Sequence, residues 1–232
     1  MVRLNSEAAK FLARRYKADV ASCLSVGKYG MPALAPVEDF SPPSELTDFE
    51  KAVKSETYER GVHFYLDDYR FDDKIWLRFE RYVERLARFA CVLTPDFSLY
   101  LDMPYPPKIN NVWRSRQIGA LLQAAGATVV PTLQWAERAS FDYCFDGLPT
   151  GSVVSISTVG VMRNPLSRKV FLEGFDAAME RLAPSTVLLY GSRPKECDFG
   201  SARVVQYANT HYRWADERRK AKKAKKGGRD GE

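Results

Sequence analysis

The sequence predicts an α/β protein built on a mostly parallel sheet. An irregular or incomplete (β/α) barrel is favoured over an open doubly wound sheet. Three observations carry this expectation. From residue 62 onward, short apolar runs alternate with amphipathic stretches of 12 to 18 residues, the pattern of strands joined by crossover helices. Runs such as VVSI and TVLLY are almost continuously apolar, as strands buried on both faces must be. Polar residues close nearly every run, and the ends of parallel strands are where ligands gather.

Taken in order, residues 1–60 form an N-terminal region packed on the domain. Its first twenty residues suit an amphipathic helix, with Ala8, Phe11, Leu12 and Ala13 near one face and Lys10, Arg14, Arg15 and Lys17 elsewhere. Gly27, Gly30, Pro32, Pro36, Pro42 and Pro43 mark a connector, and a short helix is expected from Ser44 to Glu59. The α/β domain spans 61–212. HFYLDD is its first strand. A strong helix follows, with Asp72 as N-cap and Ile75, Trp76, Phe79, Val83, Leu86 and Phe89 at helical spacing. CVLTPDFSLY is the next strand. The following helix has Asn110 near its start and Gly126 as its stop. Strands TVVPTLQW, SVVSISTVGV, TVLLYG and RVVQYAN complete the sheet, with a helix at SRKVFLEGFDAAMERLAP before TVLLYG. Pro131 inside TVVPTLQW predicts an edge, a bulge or a break, because proline has no N–H to give a ladder.

Composition bounds the function. The chain has 232 residues, 45% hydrophobic and 28% charged, which suffices for a substantial core. No run approaches the roughly 20 apolar residues of a membrane span, and the N-terminus lacks a signal-peptide pattern, so a cytoplasmic location and no membrane partner are expected. Cys23, Cys91, Cys144 and Cys197 are widely spaced and suit reduced, buried thiols rather than a zinc site. His63 starts a strand, where an edge or exposed position is expected. The net charge is +6, but residues 213–232 hold nine basic and four acidic side chains, so this tail supplies +5 of it. The body is nearly neutral. The tail, expected to be disordered at its far end, could attract nucleic acid through phosphate charge.

Candidate site residues lie at the strand ends. Asp67, Asp68, Asp96 and Asp146 form a candidate catalytic carboxylate set, and Asp68 with Asp96 could hold Mg²⁺ or Mn²⁺, which prefer oxygen ligands. Each aspartate also suits a turn or cap. Arg114 and Arg116 begin the helix after the second strand. With Tyr69, Tyr100, Gln134 and Trp135 they form a candidate substrate-binding set able to stack a base or sugar. No Walker loop, dinucleotide loop or nucleophile elbow is present. Three functions remain open: a protein that binds nucleic acid or a host protein, a metal-dependent enzyme acting on a phosphorylated or nucleic-acid substrate, and a carbohydrate-active barrel using paired carboxylates.

The chain also resembles a known family. The segments VHFYLDDYRFDDKIW (62–76), LTPDFSLYLDMP (93–104), NVWRSRQIGALLQAAG (111–126), VVPTLQW (129–135), FDYCFDGLP (141–149), ISTVG (156–160) and VLLYG (187–191), with GKYGMPALAP (27–36), carry the resemblance. They resemble the bacterial, archaeal and phage family catalogued as domain of unknown function 4417. The resemblance assigns no catalytic residue. It implies an accessory role in a phage or mobile element.

Overall fold

The computed structural model describes residues 7, 15–17, 24–162 and 164–209. The tail at 213–232, Cys23 and, apart from these few residues, the expected N-terminal helix lie outside the described residues. A small antiparallel hairpin, β1 (Ser25–Val26) and β2 (Met31–Pro32), comes first. Four parallel strands follow: β3 (Leu46–Asp48), β4 (Gly61–His63), β5 (Cys91–Leu93) and β6 (Val129–Val130). Three longer ones, β7 (Val153–Ser157), β8 (Thr186–Tyr190) and β9 (Arg203–Tyr207), form a second parallel sheet.

The two sheets join at Pro131. Beyond it the chain leaves β5 and meets β7, through a parallel bridge between Thr132 and Ser155. Ser155 N donates to Pro131 O and Leu133 N donates to Ser155 O, both at 2.8 Å. The proline therefore marks the expected break: it cannot donate to the ladder, and the strand changes partner there. Seven parallel strands thus follow one another in sequence order.

This array is curled. Seven flat strands at a spacing of about 4.8 Å would hold β3 and β9 about 29 Å apart. Yet Tyr207 Oη, at the end of β9, donates to Pro43 O, just before β3, at 2.7 Å. The imidazole of His63 in β4 lies 4.5 Å from the ring of Tyr190 in β8. Side chains close the circle, while no backbone ladder joins β9 to β3 among the described residues. The fold is an incompletely closed, barrel-like parallel array.

Alternation along the strands builds the cores. Leu46, Cys91, Leu93, Val130, Val153, Leu188, Tyr190 and Tyr207 point inward and pack together. Their neighbours Val154, Ile156, Val187 and Leu189 point outward against α5 (Pro165–Leu182), at Phe171, Phe175, Ala178 and Leu182. Val92 and Val129 face α3 (Tyr105–Ala124) at Ile118 and Leu122. His63 is 1% exposed, so its expected edge or exposed position is corrected: it lies inside the array. Cys91, Cys144 and Cys197 are free and buried.

Several elements differ from expectation. The segment 44–59 opens as strand β3 and only then forms the one-turn helix α1 (Phe49–Ala52), capped by Asp48, which accepts from Lys51 N at 2.9 Å. The segment 72–89 is not one helix. It breaks into a π-helical turn (Asp73–Leu77), a 3₁₀ turn (Phe79–Arg81) and a single α turn, α2 (Val83–Leu86). Ile75, Trp76, Phe79, Leu86 and Phe89 are still buried, because helical spacing selects a face whichever hydrogen-bond register forms. Asp72 caps nothing there, since Arg114 Nη1 donates to its Oδ1 at 2.6 Å. Helix α3 starts at Tyr105 rather than Asn110, with prolines in its first turn, where no N–H is needed. It stops as expected at Gly126, which takes a positive φ of 84°. No described helix is long and apolar enough to cross a membrane.

Candidate functional site

The carboxyl ends of β4, β5, β6 and β7 surround a cavity of about 530 Å³. Short strands create it. β4, β5 and β6 end after two or three residues, so the chain beyond each is free to form walls. Tyr65 to Asp67 come from the end of β4, Asp96 to Leu101 from β5, and Leu133 to Ala136 from β6. The loop after β7 and the first turns of α5 complete the enclosure.

Trp135 forms one wall. Its indole N–H donates to Val170 O at 3.2 Å, and its ring lies 5.4 Å from that of Phe171. Helix α5 admits the indole only because residue 174 is glycine: a Cβ there would stand 2.2 Å from the Trp135 ring. Tyr65 lies at the other side. Its hydroxyl shares a 2.6 Å hydrogen bond with Ser155 Oγ, and its ring stacks 5.0 Å from Tyr190. Burial raises the Tyr65 pKa and keeps the phenol protonated.

Asp96 is the polar centre. With its amide turned so that the nitrogen faces these two acceptors, Gln134 would donate to Asp96 Oδ1 at 3.2 Å and to Phe97 O at 3.3 Å. Burial, reinforced by the charge of Asp68, pushes the Asp96 carboxyl up to about 7. Asp68 turns toward the backbone of the neighbouring loop. It accepts from Ser98 N at 3.1 Å and from Ser98 Oγ at 2.9 Å. Burial raises its pKa, against the opposing effect of these bonds. Asp67 lines the cavity as an exposed residue. Tyr100 also lines it and is 62% exposed, while Tyr69, on the turn that Asp68 ties to Ser98, is 83% exposed.

The structure therefore gathers Asp67, Asp96, Tyr100, Gln134 and Trp135 around one cavity, with Asp68 and Tyr69 on the adjoining turn. It does not bring in Asp146. That carboxylate pairs with Arg181 in the last turn of α5 and lies against Gly27. Because α5 runs from the carboxyl end of β7 back to the amino end of β8, its last turn is at the opposite end of the strands. Arg116 is fully buried and donates at 2.6 Å to Cys144 O, in the one-turn helix α4 (Phe141–Cys144), and burial lowers its pKa to about 10. Arg114 is engaged by Asp72 and Asn111, with its guanidinium 4.0 Å from the Phe97 ring centre. These two arginines hold the protein together rather than line the cavity, whose wall contains no lysine, arginine or histidine among the described residues. Nor do Asp68 and Asp96 gain a third ligand: among the described residues no three His, Cys, Asp or Glu side chains are grouped to hold a metal. The residue that sequence reasoning did not single out is Tyr65: it falls inside the predicted strand HFYLDD, whereas the strand ends at His63 and leaves Tyr65 in the cavity wall.

A second depression, of about 460 Å³, lies at the ends of β7, β8 and β9. It shares Val159 and Gly160 with the first and is bordered by Gln206 and Asn209. The described chain ends at Asn209, on this same face.

Fold and cavity define a class: a parallel α/β protein with a ligand-sized recess at its strand ends. The chain belongs to the family described as Domain of unknown function (DUF4417), whose model matches residues 24–208. Among its relatives, the Gene 1 protein of Mycobacterium phage L5 is 39% identical over 160 residues, covering 69% of this chain and 68% of the relative. The Gene 1 protein of Mycobacterium phage D29 is 40% identical over 160 residues, covering 69% of this chain and 57% of the relative. No solved structure matches the chain.

Proposed function

We propose that this protein is a phage accessory protein that binds single-stranded nucleic acid across the carboxyl-end face of its sheet. The observation that carries this reading is the placement of the exposed tyrosines. Tyr100 at the cavity wall and Tyr69 on the neighbouring turn offer unoccupied aromatic surface, and bases stack on such surface with little regard to sequence. Charge supports the same reading. Among the described residues the cavity lining has no cation, but the sequence continues from Asn209, on the same face, into the segment carrying +5. Phosphate attraction would come from that segment, and base contacts from the face. The phage origin of the relatives fits an accessory role of this kind.

Fluorescence anisotropy with labelled single-stranded oligonucleotides tests the proposal. Binding should weaken steeply with salt, and deletion of residues 213–232 should reduce both affinity and salt slope. Tyr69→Ala with Tyr100→Ala should weaken binding by about 10-fold or more, at a stacking contribution of about 1–3 kcal/mol per base. Full-length protein that binds no oligonucleotide at low salt sinks the proposal.

A further inference from the structure

We infer that helix α3 sets the shape of this face. Lys108, Asn111 and Ser115 are positioning residues: they hold the wall that carries Tyr100 by its carbonyls, and tie it to the turn that carries Tyr69 and to the wall after β6. The inference deepens the nucleic-acid reading above and rests on it for the binding arm of its test, but not for the exchange arm.

The wall needs such support. Residues 95–99 lie in no helix or strand, and no backbone–backbone hydrogen bond engages them among the described residues. Buried backbone groups require partners, and α3 supplies the donors. Ser115 Oγ donates to Pro95 O at 2.7 Å, Asn111 Nδ2 to Ser98 O at 2.8 Å and Lys108 Nζ to Leu101 O at 3.1 Å. The acceptors recur at every third residue of the wall. The donors lie three and four residues apart on α3, so one helix face serves them all. Ser115 is 0% exposed, Lys108 2% and Asn111 8%. Burying three polar side chains on one helix face costs desolvation that an apolar face avoids, and all three are directed at this one loop.

Two of them reach further. Lys108 Nζ also donates to Glu137 Oε2 at 2.6 Å, just beyond the wall segment 133–136, so one buried ammonium joins two cavity walls. Asn111 Oδ1 accepts from Arg114 Nη2 at 2.8 Å, which fixes both ends of the Asn111 amide. Arg114 Nη1 in turn donates to Asp72 Oδ1. Asp68, at the other end of the same turn, is held by Ser98. Both ties of the turn 68–72 therefore lead back to Ser98, and Tyr69 lies between them. The two exposed tyrosines are carried on segments anchored to one helix. A side chain ordered only on binding lowers affinity, so a face built in advance binds tighter with the same contacts.

Hydrogen–deuterium exchange of the full chain is the first arm of the test. Asn111→Ala should speed exchange about 10-fold at the bonded amides of Arg70, Phe71 and Ser98, and leave Leu188 in β8 protected. Lys108→Met should do the same at Met103 and Ser140 together, whose amides bond to Tyr100 O and Glu137 O. Unchanged exchange at these amides overturns the inference. If either variant also loses protection in β8, Ser115→Ala, which removes a single hydroxyl, decides at Ser98. The second arm is anisotropy with a labelled oligothymidylate. Asn111→Ala should weaken binding about 10-fold, the cost of re-ordering two side chains. In a protein already carrying Tyr69→Ala and Tyr100→Ala, the same substitution should change affinity by less than about 2-fold, because its effect passes through those rings. An undiminished effect there overturns the positioning role, as does faster exchange with unchanged affinity. Parent protein that binds no oligonucleotide overturns the nucleic-acid reading alone, and the exchange arm then still decides whether α3 shapes the face.

Discussion

The two halves of the strand array use the same polarity to different ends. β7, β8 and β9 pair over five residues each, in register from end to end, and α5 crosses between β7 and β8 as one continuous helix. β3 to β6 pair over two or three residues, and the chain between β4 and β5 is a succession of π, 3₁₀ and α turns. The regular half places its residues in ladder and core. The irregular half stops its strands early, and the chain it frees, at 65–67, 96–101 and 133–136, forms most of the cavity wall. Regularity supplies the frame, and the site is drawn from the half that gives it up.

The comparison predicts where stability resides. Leu188 is fully buried in the middle of β8, among inward side chains from both sheets. Leu188→Ala should cost about 3–5 kcal/mol, the transfer term plus a cavity that a ladder paired on both sides cannot collapse. Tyr100→Ala, in a loop of the irregular half and mostly exposed, should cost less than about 0.5 kcal/mol. Urea denaturation of both variants checks the contrast, and a similar loss in the two would remove it.

The next effect is electrostatic. Asp96 has a folded-state pKa of about 7, above its ordinary 3.8. Between these values the folded protein binds the proton and the unfolded chain does not, so stability falls as pH rises from about 4 to about 7 and stays lowered above that. Asp96→Asn removes the penalty. The variant should be more stable than the parent by up to about 4 kcal/mol near pH 8 and show little difference near pH 4. Urea midpoints measured at both pH values decide it; a variant no more stable near pH 8 would mean that Asp96 ionises at no cost. The site is thus built on a residue that weakens the fold at neutral and alkaline pH.

Gly174 links the halves, since Trp135 of the irregular half reaches into α5 across it. Gly174→Ala puts a methyl group against the indole. The clash should outweigh the better helix propensity of alanine and cost about 1–3 kcal/mol. Thermal melts would show it, and a rise in melting temperature would mean that the indole moves aside freely.

Legibility in the sequence divides along the same line. The regular half could be read directly: VVSI and TVLLY are continuous apolar strands, and the spacing of Phe171, Phe175, Ala178 and Leu182 is helical. Asp96, Gln134 and Trp135 could be found because they close apolar runs. The irregular half resisted. Helical spacing at Ile75, Trp76 and Phe79 fixes a face but not a hydrogen-bond register, so π and 3₁₀ turns carry the same pattern. Strand β3 is three residues long and sits in a helix-like context. Asp146 was misplaced because local sequence does not say at which end of the sheet the FDYCFDG segment lies; its partner Arg181 is 35 residues away.

The smallest effect isolates what joins the two loops at the cavity mouth. Ser98 N and Oγ both donate to Asp68, tying the turn that carries Tyr69 to the loop that carries Tyr100. Ser98→Ala removes the hydroxyl bond and keeps the backbone ones. The lost bond lowers the Asp68 pKa in the native protein, so its removal is felt where Asp68 is ionised and disappears once the carboxyl is protonated. The expected loss is about 1 kcal/mol near pH 8, falling toward zero in acid. Because the backbone bonds persist, the turn should remain docked and the Tyr69 and Tyr100 contacts to nucleic acid should change by less than the double tyrosine substitution. A binding loss as large as that of Tyr69→Ala with Tyr100→Ala would instead make the hydroxyl, rather than the backbone, what holds the two loops together.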